Sequence, residues 1–145
     1  MGYMETHEKR IGMPKKKQRV ERTRNNGTMT ESMFWSMIRA TLRNKSRWWK
    51  PIAQCKLDAR RKYKGTNKRQ QWEYQCAQCS EWFSEKNINV DHRIPAGQLQ
   101  SGKDLEGFVE RLFCEADGLQ VLCVSCHDVK TKNERDDKGK NRKRV

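Results

Sequence analysis

Residues 89–97, Asn-Val-Asp-His-Arg-Ile-Pro-Ala-Gly, set a carboxylate and an imidazole side by side on an apolar alternation of Ile88, Val90 and Ile94. Neighbouring side chains of a strand point to opposite faces, so Asp91 and His92 do not pair with each other unless the strand bends. They can instead address two sides of a third group. A carboxylate can hold a divalent cation, and an imidazole can take a proton near neutral pH; together they suit hydrolysis of a phosphate ester. Taken singly, Asp91 is a cap for the turn before Pro95, and His92 is a satisfied core histidine on the apolar face of the strand.

Six cysteines provide the second chemical signal. Four form two pairs, Cys76-Ala-Gln-Cys79 and Cys123-Val-Ser-Cys126. Each pair can wrap one side of a tetrahedral thiolate site, and four thiolates saturate Zn²⁺, so the expected ion is structural. Two redox pairs are the competing reading. Cys55 and Cys114 are left as small buried hydrophobes. The residue after the fourth metal cysteine is His127, turned by about 100° from Cys126 if a helix begins there, and so facing away from the metal. Lys130 and Glu134 share its face.

The elements that must position these groups follow from periodicity. A capping box of Thr28 and Glu31 precedes Phe34, Met37, Ile38, Thr41 and Leu42 at helical spacing. A second helix is expected after Pro51, through Tyr63, with Lys56, Arg60, Arg61, Lys62 and Lys64 on a solvated face. Trp48 and Trp49, between the helices, are expected to be packing aromatics rather than base-stacking platforms. Residues 65–70 form a polar linker. Beyond it WEYQC, EWFS, INVDHRI and LQVLC read as strands, with CAQC as a tight turn. Ser101 and Asp104 cap a helix through Leu105, Phe108, Val109 and Leu112, and CVSCHDVKTKNERDD opens the last helix. The fold class is therefore α+β.

The chain has 145 residues, of which 34% are hydrophobic, and a formal net charge of +14. That balance predicts a polyanionic partner, nucleic acid before an anionic membrane, and no stretch approaches the roughly 20 apolar residues of a membrane span. The N-terminus lacks the apolar segment of a secretory signal, which points to a reducing cytosol. Residues 1–27, with PKKKQRV at 14–20, and residues 137–145 are polar and basic and are expected to be disordered tails. PKKKQRV reads either as a nuclear-import signal or as a phosphate-seeking arm. Between the tails the chain divides into a helical extension, 28–66, and a catalytic domain, 67–136.

The order CAQC, VDHRIP and GLQVLCVSCHDVKTKNE resembles the HNH endonuclease family, and in particular the zinc-bearing HNH proteins of tailed phages, over residues 71–135. The resemblance implies a ββα-metal, treble-clef-like nuclease core with Cys76, Cys79, Cys123 and Cys126 on structural Zn²⁺. It assigns Asp91 and His127 as ligands of a catalytic Mg²⁺, Mn²⁺ or Ni²⁺, and His92 as general base. Arg93, Lys130 and Lys132 are the nearby expected nucleic-acid contacts. The implied activity is hydrolysis of DNA phosphodiesters to 5′-phosphate and 3′-hydroxyl ends, in a bacterial host's cytoplasm, with phage packaging or recombination proteins as further partners. The family's middle residue, an asparagine that helps orient the base, falls on Gly118, and Asp117 beside it is the expected substitute. The departure at Gly118 keeps a second reading open, a non-catalytic zinc module that binds nucleic acid.

Overall fold

The computed structural model describes residues 18–143, so expectations about residues 1–17 and 144–145 lie outside the described residues. Among the described residues the helices and strands that carry the fold are α1 (Glu31–Ser46), α2 (Lys50–Asp58), β1 (Arg60–Lys62), β2 (Trp72–Gln75), β3 (Trp82–Phe83), β4 (Ile88–His92), α3 (Leu105–Leu112), β5 (Leu119–Cys123) and α4 (Val124–Lys143). The class is α+β. Strands β1, β2 and β3 form one antiparallel sheet in that order, and β4 and β5 pair antiparallel in a second.

Three apolar clusters join these elements. Cys55 of α2, Tyr74, Ile88, Leu119 and Val121 are buried between α2 and both sheets, with Ile52, Phe83 and Val90 packed against them. Phe108 and Leu112 of α3, with Ala96 and Leu99, meet Trp35, Ile38 and Leu42 of α1. Cys76, Leu122 and Cys123 form the third cluster. The two helices of the expected extension thus share cores with residues of the expected catalytic domain. The division drawn at 66/67 falls in the loop between two paired strands, β1 and β2.

Several local expectations are corrected. The second helix opens at Lys50, with Pro51 in its first turn, and ends at Asp58, and Arg60–Lys62 turn into a strand on β2, because pairing with Trp72–Tyr74 outweighs the helical preference of Arg and Lys. Arg60 and Arg61 are consequently not on a helix face: their guanidinium carbons lie 4.0 Å from the Trp72 ring centre and 3.6 Å from that of Trp82. Arg61 also pairs with the buried carboxylate of Glu73. At the other end, Thr30 rather than Thr28 caps α1, its hydroxyl accepting from the Met33 amide at 3.2 Å. Thr28 instead belongs to a tight turn, Asn25–Thr28, where Asn25, Asn26 and Gly27 all have positive φ. Glu31 is drawn to Arg24 at 2.8 Å, which ties that turn to the helix, so residues 24–27, expected to belong to a disordered tail, form a defined turn. The C-terminal tail is not disordered where it is described, for α4 continues through Lys143.

The expected helix at Leu105–Leu112, with its Ser101–Asp104 capping box, is present, as are the strands at 88–92 and 119–123. Of the two tryptophans, Trp49 packs as expected: its ring N–H donates to the Cys114 carbonyl at 2.7 Å, and its ring meets Phe113 edge-on. Trp48 does not, with 82% of its surface exposed. No helix among the described residues is long and apolar enough to cross a membrane.

Candidate functional site

The first cysteine pair sits on the connection leaving β2. Cys76 follows the last residue of that strand, and its amide and carbonyl are both used inside the turn, donating to Glu81 O and accepting from Ser80 N, each at 2.9 Å. The turn closes only because Ser80 takes a left-handed conformation, φ +63°. That conformation costs an L-residue roughly 1–2 kcal/mol, and a glycine almost nothing. The Ala77 amide donates to the Val121 carbonyl at 2.8 Å, which docks the turn against β5.

The second pair is placed by an abrupt junction. β5 ends at Cys123 and α4 begins at Val124, with no loop between them. Cys123 therefore stands where a capping residue would, and its Sγ accepts from the Cys126 amide at 3.4 Å. The four Sγ atoms all lie within 4.8 Å of one another and can hold a metal ion such as zinc. Tetrahedral thiolate zinc needs sulfur–sulfur distances of about 3.8 Å, given Zn–S near 2.3 Å, so the donor set fits. Electrostatics point the same way. Burial opposes ionisation of Cys76, yet amide donors from Cys79, Cys123 and Gln78 bring its thiol down to about 6. Cys126 is pushed up to about 12, by its hydrogen bond with Cys123, by burial and by the other sulfurs around it. A second thiolate beside the first is costly unless a cation lies between them.

The same junction presents the other candidate residues. In the β4–β5 ladder Asp91 stands opposite Gln120 and His92 opposite Leu119. Lys130, one turn beyond His127 on α4, reaches across to this end of β4. Its ammonium lies 2.7 Å from Asp91 Oδ2, donates to the His92 carbonyl at 3.0 Å and is paired with Glu134 at 2.6 Å. Asp91 Oδ2 is buried and faces that ammonium as an ion pair. Burial works against the charge on Lys130, but its contacts with Asp91 and Glu134 prevail and hold its pKa above the ordinary lysine value. α4 is thus tied through Lys130, one turn beyond His127, to the Asp91–His92 end of the strand. His127 itself is one-third exposed, with only a loose approach to Asp128 at 3.8 Å.

His92 is half-buried, and its Nε2 lies 2.9 Å from the Leu112 carbonyl at the end of α3. A carbonyl only accepts, so the neutral ring carries its proton on Nε2 and leaves the Nδ1 lone pair bare. The expected orienting group, the Asp117 carboxylate, is replaced by this carbonyl. Asp117 and Gly118 serve Arg93 instead, the Asp117 carbonyl accepting from its Nε at 3.0 Å and the Gly118 carbonyl from its amide at 2.9 Å. A side chain at 118 would place Cβ 2.8 Å from Cys114 Sγ, so the packing there selects glycine.

Of the expected nucleic-acid contacts, Arg93 and Lys132 are exposed, whereas Lys130 is consumed by two carboxylates. Neither Lys130 as a tether nor the Leu112 carbonyl was read from sequence. The i, i+4 spacing of Lys130 and Glu134 carried part of the first signal; the second depends on how residues 93–118 fold back. Comparison with family models, with curated proteins and with solved structures found no match.

Metal analysis of protein purified without chelator should find one ion per chain at the four sulfurs. Ser80→Gly, by removing the left-handed strain from the turn, should strengthen retention by about 1 kcal/mol. A chelator-competition titration reads this directly; unchanged or weaker retention would show that the turn is not where binding energy is lost.

Proposed function

We propose that the chain is a metal-dependent DNA endonuclease of HNH type, with β4, β5 and α4 as its ββα-metal core and a structural zinc at the four cysteines. The observation that carries this reading is the convergence at Lys130, which ties the Asp91–His92 end of β4 to α4 one turn from His127. That tether joins the strand carrying Asp91 and His92 to the helix carrying His127, the three residues that the sequence resemblance names. The net charge of +14 suits a polyanionic substrate.

In this reading His92 acts as the base. Its Nδ1 takes a proton from the attacking water, while the Leu112 carbonyl accepts from Nε2 and holds the ring in orientation. Asp91 and His127 would hold the catalytic cation, which would share or displace the Lys130 ammonium that lies 2.7 Å from Asp91 Oδ2. Bound there, Mg²⁺, Mn²⁺ or Ni²⁺ would offset charge on the phosphate and on the departing 3′ oxygen. Arg93 and Lys132 remain to meet flanking phosphates. Action alongside phage packaging or recombination proteins belongs to the same proposal.

One observation favours the second reading, a zinc module that binds nucleic acid without cutting it. The Lys130 ammonium already neutralises Asp91. Plasmid nicking separates the two. His92→Ala should keep fold, metal content and DNA affinity while lowering cleavage by 10²- to 10⁴-fold. His127→Ala should lose activity that excess divalent metal partly restores. Parent protein that never cuts under Mg²⁺, Mn²⁺ or Ni²⁺ would leave the binding module standing.

Restoring the family's asparagine at Gly118 should not raise cleavage, because the ring of His92 is already held and position 118 has no room. Gly118→Asn should instead destabilise by about 1–3 kcal/mol through overpacking against Cys114. Urea denaturation measures this, and a variant that is both stable and faster would show that His92 is poorly held in the parent.

A further inference from the structure

Trp48 stands out among the aromatic residues by its exposure, and its surroundings say why. The short connection between α1 and α2 is pinned from within: the Trp48 and Trp49 amides donate to Lys45 and Ser46 carbonyls, and the Trp49 ring is anchored on Cys114 and Phe113. Adjacent side chains on so tight a turn diverge, so seating Trp49 inward sends Trp48 outward. A polar residue would satisfy that outward position. Instead it holds the largest apolar side chain, at the edge of a groove of about 530 Å³ lined by Arg47, Lys50, Ile52, Leu57 and Tyr74 and by the Lys56–Glu85 ion pair. Leu57 is likewise 45% exposed.

The charge around the ring selects the occupant. Lys45, Arg47 and Lys50 flank Trp48 in the chain, all three exposed and in no ion pair among the described residues. A second copy of the chain would bring the same cations against one another. An exposed ring within a cluster of free cations is what an unpaired nucleic-acid strand requires, since every base has a face that stacks and every link carries a phosphate.

We propose that the α1–α2 turn is a stacking platform for an unpaired base of a DNA strand, with Trp48 as the stacking ring and Lys45, Arg47 and Lys50 as its phosphate contacts. This rests on the reading of the chain as DNA-acting and adds a preference for strands that are frayed, displaced or single. The platform lies apart from Asp91, His92 and His127 in sequence and contributes binding rather than chemistry.

The test uses the full chain, without added divalent metal, and a labelled oligonucleotide offered single-stranded or as a blunt duplex. Trp48→Ala should weaken single-strand binding by about 5- to 150-fold, the range of one lost base–aromatic stack, while Trp48→Phe retains most of the affinity. Duplex binding should change far less, and thermal melts should coincide, because so exposed a ring contributes little to packing. Single-strand affinity unaltered in Trp48→Ala would overturn the platform, as would equal losses on single strand and duplex. Concentration-dependent self-association of the parent that Trp48→Ala abolishes would also overturn it, by assigning the face to a second copy. A parent that binds and cuts duplex while Trp48→Ala binds single strands normally would refute the platform alone; a parent that binds neither form would remove the DNA reading with it.

Discussion

Four sulfur atoms held within 4.8 Å of one another are the constraint on which the rest of the molecule depends. Two come from a turn after β2 and two from the seam where β5 becomes α4, so whatever holds the sulfurs together also holds the first sheet to the second and fixes where α4 starts. Neither source is rich in apolar cover. Only Cys76, Leu122 and Cys123 are buried there, a core too small to press thiols together against their mutual repulsion. A cation among the sulfurs reverses the sign of that repulsion. The amides at the turn and at the helix start then become assets, since they already favour the thiolate form at Cys76.

From that fixed start, helical geometry sets what α4 presents. Cys126 faces the sulfurs, His127 is turned about a quarter of the way round, and Lys130 follows His127 by one turn. The Lys130 ammonium closes the arrangement by joining Asp91, Glu134 and the His92 carbonyl. Its partly buried position makes these contacts less screened than surface pairs, and losing Lys130 would leave the buried Asp91 oxygen without a partner. The strand end is therefore positioned from two sides, by Lys130 through the backbone and carboxylate and by the Leu112 carbonyl through the imidazole. Cores beneath α1, α2 and α3 keep that second support in place, which gives the N-terminal helices a role in positioning the strand end.

Much of this was legible in the residues alone. The paired cysteines, the alternation of Ile88 and Val90 up to Asp91 and His92, the apolar run of β5 and the capping box at Ser101 all act over a few residues, where local rules hold. What escaped sequence reading depends on distant partners. Arg60 and Arg61 carry a helical preference but meet Trp72, Trp82 and Glu73, and the strand prevails. Glu31 has the spacing of a capping box with Thr28, but Arg24 draws its carboxylate away. The opposite fates of Trp48 and Trp49, adjacent and identical in type, turn on one hydrogen bond to Cys114, 65 residues away. Gly118 reads as a lost functional residue by family pattern and as a packing requirement against Cys114 once the fold is present.

The central claim is that four thiolates alone hold the ion, with His127 outside its shell. X-ray absorption at the zinc edge of the purified full-length protein tests it most directly. The account predicts a first shell of four sulfurs at about 2.3 Å and no nitrogen. A shell with a nitrogen at about 2.0–2.1 Å in place of a sulfur would contradict it, because a histidine would then stand where the four cysteines are held to suffice.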